Sequence, residues 1–78
     1  MTATNFDQAL QALQQQQPFR VFTVELNTGK RFEVDHAMAL VVRDGVAVFV
    51  QPGGVPILFD HDGVNQIIAA PRRRRRKT

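Results

Sequence analysis

The chain contains no cysteine, serine, tryptophan or tyrosine, and only two histidines in 78 residues. Without cysteine there is neither a disulfide framework nor a thiolate metal site. The missing serine and cysteine also remove the commonest nucleophiles, so a non-enzymatic protein without a cofactor or bound metal is expected. No apolar run approaches the ~18–20 residues needed to span a bilayer. The N-terminus lacks a basic segment followed by an apolar stretch, so no secretory signal and a cytoplasmic location are expected. At this length the apolar core is thin, and self-association often supplies the burial a monomer lacks.

Charge is distributed very unevenly. Ten Lys and Arg against seven Asp and Glu give a net charge of +3. Six of the ten bases are consecutive: Arg72, Arg73, Arg74, Arg75, Arg76 and Lys77. The remaining four, Arg20, Lys30, Arg31 and Arg43, face all seven acids, so the rest of the chain carries −3. Six adjacent cations repel one another and bury no face, so 71–78 reads as a disordered basic tail. Arginine forks pair with phosphate oxygens, which makes these six residues a nonspecific site for RNA or another polyanion. The alternative is a tail that only solubilises a structural or assembly module.

Residues 1–70 read as one domain. Thr4 with Asp7 suggests a capping box, and Phe6, Ala9, Leu10 and Leu13 fall on one helical face. A helix over about 5–16 follows, with Gln14 to Gln17 as its solvated last turn before Pro18. From Phe19 the period changes to two. Phe22, Val24 and Leu26 alternate with Val21, Thr23 and Glu25, and the hairpin Asn27-Thr28-Gly29-Lys30 leads into a return strand over Arg31 to His36. Met38 to Val42 is a continuous apolar run, suited to a strand covered on both faces.

Arg43-Asp44-Gly45 and Gln51-Pro52-Gly53-Gly54 are tight turns around Val46–Val50, the second of type II. Val55–Phe59 contains Pro56 and is expected at a sheet edge. It or Val46–Val50 could pair between subunits, giving a dimer or ring by β-augmentation. Strands over about 19–69 thus suggest a mainly β fold. The expected form is an N-terminal helix and a small antiparallel five- to six-stranded SH3-like or Sm-like barrel, or a strongly twisted sheet. Asp35-His36 and Asp60-His61-Asp62 are the only candidate metal or acid–base groups. Turn-forming aspartates bonding local N–H groups account for them more simply.

The stretch from Pro18-Phe19-Arg20-Val21-Phe22 through Leu26-Asn27-Thr28-Gly29-Lys30-Arg31-Phe32-Glu33-Val34 to His36 resembles a family of short uncharacterised bacterial proteins, frequent in planctomycetes. Its signature runs PFRPF, then L-x-(D/T)G-(R/K)-x-(F/Y)-x-V-x-H. Val21 and Ala37 stand where the family commonly has proline, and the resemblance implies no established activity. A second resemblance is to Sm-like proteins, in particular the bacterial Sm-like RNA chaperone. It rests on Val21 to Gly29, on Asp35 to Val42, and on Phe59-Asp60-His61 before Asn65-Gln66-Ile67-Ile68. It implies an Sm-like fold, but Asp60 occupies the position of the lysine that would meet RNA.

Overall fold

The computed structural model describes residues 1–69. Helix α1 (Ala3–Gln14) precedes six strands: β1 (Phe22–Leu26), β2 (Arg31–Val34), β3 (Leu40–Arg43), β4 (Val46–Val50), β5 (Pro56–Asp60) and β6 (Val64–Ala69). The strands form two antiparallel three-stranded sheets, ordered β2-β1-β6 and β3-β4-β5. The expected helix-then-strands architecture is therefore present, but the barrel is not closed. One-turn 3-10 helices at Ala37–Ala39 and His61–Gly63 stand between β2 and β3 and between β5 and β6, where a closed barrel would continue its strands.

The helix begins earlier than the sequence pattern suggests. Thr2 is the N-cap and its hydroxyl accepts the Asn5 N–H at 3.1 Å. Asp7 closes no capping box; its carboxylate accepts the Gly45 N–H at 2.8 Å, across 38 residues. A tertiary donor has displaced the local one. The helix also ends at Gln14, which is no solvated turn. Its side-chain amide donates to the carbonyls of Ala37 (3.0 Å) and Leu40 (2.6 Å), fastening the end of α1 to the start of β3.

The core takes Phe6 and Leu10 from α1, Phe22 and Val24 from β1, Val34 from β2, Leu40 from β3, Ala47 and Phe49 from β4, Phe59 from β5 and Val64 from β6. Every one is apolar, and no polar or charged residue among the described ones is buried. The two-residue period in β1, β2 and β4 is the reason: alternate side chains point inward and the polar set stays wet.

Two departures concern strands. The run Met38 to Val42 is split, with Met38 on the 3-10 turn and Leu40 to Arg43 forming β3. Within it only Leu40 is buried; Met38 and Val41 are exposed, so the strand is covered on one face. Hydrogen bonds from Ala39 N–H to the His36 carbonyl and from Met38 N–H to His36 Nδ1 form that turn and end β2 at Val34, short of Asp35 and His36. β4 is paired on both sides and cannot serve as an intersubunit edge. β5 does lie at an edge, where Pro56 withholds an N–H at little cost.

The β3–β4 turn is where α1 and the 3-10 turn at His61 converge. Asp44 (φ +52°) and Gly45 (φ +82°) form a two-residue hairpin loop. The buried Gly45 donates its N–H to Asp7, and its carbonyl accepts the His61 N–H at 2.8 Å. A Cβ at Gly45 would stand 2.8 Å from the His61 ring and 2.9 Å from Ala3 Cβ. Gly53 also has positive φ (+96°), but a Cβ there meets nothing within 4 Å. Gly53→Ala should therefore cost only backbone strain, about 1 kcal/mol, and Gly45→Ala roughly 2–4 kcal/mol, because overpacking is added. Urea denaturation of both variants reads the difference, and equal losses would show that the Gly45 contacts carry no strain.

Candidate interaction surface

The outer faces of the two sheets differ in kind. On β2-β1-β6 the outward rows are Glu33–Thr23–Ile68 and Arg31–Glu25–Gln66. Glu25 organises this face: its carboxylate accepts from Gln66 and Asn65 side-chain amides and from Arg31 Nε at 3.2 Å. Those hydrogen bonds, with the Arg31 charge, hold the Glu25 carboxyl below the usual glutamate range. They favour the charged form. The Arg31–Glu25–Gln66 row is thus satisfied by its own neighbours, and Ile68 is the one large apolar side chain exposed in these two rows.

On β3-β4-β5 the outward rows are Val41–Val48–Leu58 and Arg43–Val46–Asp60, followed by Val50–Pro56. Val41 is 66% exposed, Leu58 69% and Val46 50%. Val48 sits half-buried between its two cross-strand partners. Val50, in phase with Val46 and Val48, is exposed as well and extends the apolar surface along β4; Met38 and Val55 are exposed in the adjoining turns. Large apolar side chains scattered singly on a surface are ordinary, but a contiguous row across three strands marks an interaction surface. Beside Val46 and Leu58 this surface runs into a cleft of about 430 Å³, bordered also by Leu26 and Thr28 of the β1–β2 hairpin and by Gly63.

The only charges in these rows are Arg43 and Asp60, at one level on either side of Val46. Arg43 lies 3.8 Å from the neighbouring Asp44 carboxylate, with both side chains about nine-tenths exposed. Such a pair contributes little and is easily exchanged for another partner. Asp60 caps the following 3-10 turn by accepting the Gly63 N–H at 3.0 Å through one oxygen.

The residues singled out from sequence are placed variously. Asp35 and His36 lie just beyond the end of β2, and His36 caps the turn that follows. His61 Nδ1 lies 2.9 Å from the Met1 carbonyl and 3.4 Å from the Asp62 carboxylate. Asp60 bonds a local N–H, as its turn chemistry suggests. Arg72, Arg73, Arg74, Arg75, Arg76 and Lys77 lie outside the described residues. Missed by the sequence pattern were Val41, Val48 and Leu58 as one surface. The signal was available: Val46–Val50 and Met38–Val42 are apolar in both phases of the strand period, with a single α-helix among the described residues to cover sheet faces.

No helix among the described residues is long and apolar enough to cross a membrane. Compared with protein-family models, curated proteins and solved structures, the chain matches none.

The Glu25 network has a signed pH dependence. A carboxyl whose folded pKa is depressed contributes stability that is fully present above its unfolded value and is lost as pH falls through the folded value. Glu25→Gln should lower the denaturation midpoint at neutral pH. The gap to the unaltered protein should close as pH drops through and below the ordinary glutamate range. A gap that stayed constant across an acid titration of urea midpoints would refute the linkage.

Proposed function

We propose that the protein is a non-enzymatic interaction module whose working surface is the outer face of β3-β4-β5. The observation that carries this reading is the exposed row Val41–Val48–Leu58, set against a second sheet whose outer rows are mostly polar and whose Arg31–Glu25–Gln66 row is hydrogen-bonded within itself. Both sheets share one core and one solvent, so the second is an internal control for how this chain builds a wet face. Apolar side chains kept in water across three strands forgo roughly 25 cal/mol for each Å² left unburied, which a docked protein surface would recover. The helix-first order and six short antiparallel strands support an open, Sm-like arrangement as the scaffold.

The surface is tested by placing a photo-crosslinking amino acid at Val41 or at Thr23 in the organism's own cells. Protein adducts should form from position 41 and not from position 23, which lies on the polar face. Equal yields, or none from either, would overturn the reading.

A second role rests on the hexacation. Four bases against seven acids precede it, so polyanion affinity in a cytoplasmic setting would reside in Arg72–Lys77 alone. Full-length protein should bind single-stranded RNA in a mobility-shift titration with a log–log salt slope of roughly −4, set by six phosphate contacts. A chain ending at Ala70 should not bind. Equal binding by both, or binding by neither at low salt, removes this role and leaves a tail that solubilises.

A further inference from the structure

We propose that the occupant of the apolar face is a second copy of the same face, packed sheet on sheet about a two-fold axis running along β4. This inference rests on the interaction-surface reading above and specifies its partner.

The argument begins with charge placement. Arg43 on β3 and Asp60 on β5 stand at the same level, one on each side of Val46. A two-fold axis along β4 exchanges left and right while keeping that level. It therefore sets Arg43 of each copy over Asp60 of the other, forming the pair twice. The same operation lays Val41–Val48–Leu58 over Leu58–Val48–Val41 of the partner, apolar row on apolar row. The competing face-to-face axis, across the strands, fails on the same grounds. It would carry Arg43 and Asp60 to the level of Val50 and Pro56, burying charges against apolar side chains with no partner. Self-complementarity under one operator is what an isologous interface requires.

Residues 70–78 comprise six cations with Ala70, Pro71 and Thr78, and contain no large apolar side chain to lay over this face. The size of the face sets the expected affinity. β4 is five residues long and the sheet three strands wide. With about 4.8 Å between strands and about 3.3 Å per residue, the face falls below the roughly 800 Å² per partner of a standard interface. A weak, reversible dimer is the expected outcome. The pairing differs from the edge-to-edge augmentation suggested by sequence, since β4 has no free edge and here strands meet through side chains.

Sedimentation equilibrium of the full chain from about 1 to several hundred micromolar tests the proposal, an affinity window typical of weak interfaces. The unaltered protein should dimerise. Arg43→Glu places like charges opposite Asp60 twice and should raise the dissociation constant roughly tenfold or more, since like-charge juxtaposition is costly. Adding Asp60→Asn keeps the side-chain oxygen that caps the 3-10 turn while removing the repulsion, so the double variant should recover much of the loss. V41K/L58K should be monomeric with a circular dichroism spectrum like that of the unaltered chain. A dimer indifferent to Arg43→Glu, or one not rescued by Asp60→Asn, would overturn the two-fold geometry. A monomer throughout the range would overturn the second copy as partner. In that case crosslinking from position 41 to a different protein would leave the interaction surface standing, whereas loss of face-specific crosslinking would remove both.

Discussion

Two sheets that share no strand pair are joined here by phenylalanine. Phe32 of β2 stacks on Phe49 of β4 with ring centroids 5.0 Å apart and meets Phe59 of β5 edge-on at 5.2 Å. Phe59 in turn takes Phe6 of α1 edge-on at 5.8 Å. One contiguous set of four rings thus ties the helix, the polar sheet and the apolar sheet together. Aromatic pairs in these geometries are worth about 0.5–1.5 kcal/mol each beyond their burial. In a chain without cysteine or a closed barrel, this cluster is what makes the two halves one body.

Further ties are polar and sit at the periphery of the apolar core. Asp7 and His61 both bond the Gly45 backbone, and Gln14 bonds the carbonyls that open β3. The Asn27 side chain donates to the Asp62 carbonyl, linking the first hairpin to the second 3-10 turn. All are long-range contacts between turns and elements, where backbone groups would otherwise lack partners. Their common effect is to fasten α1 to the β3–β4 hairpin and to join the turns of the two sheets to one another. That leaves the outer faces to be decided by composition alone, and composition made one polar and the other apolar.

Much of this was legible in the residues. The apolar phase of β1 and β2, the glycines at the turns and the edge position of Pro56 all follow from local chemistry: a two-residue period, positive φ and a missing N–H. Legibility stopped where a local rule met a stronger distant partner. Asp7 had the spacing of a capping residue but found the Gly45 amide, and Gln14 looked solvated but found two carbonyls. Val41 looked like core because its neighbours are apolar, yet one helix can cover only the inner side of its sheet. The interaction surface was hidden for the same reason, since apolar side chains read alike whether they face a core or water.

By itself the sequence determined the class of structure, a helix followed by short antiparallel strands, because periodicity and turn residues act within a few positions. It also determined the charge split, with six cations in one run and an acidic remainder. Tertiary structure decided which of two apolar strand phases is core, that β4 is central and that the sheets remain two. It also set Arg43 and Asp60 at one level on a face that none of the described residues covers. Those outcomes depend on which strands lie beside one another and on what a single helix can bury, and no local pattern of residues encodes either.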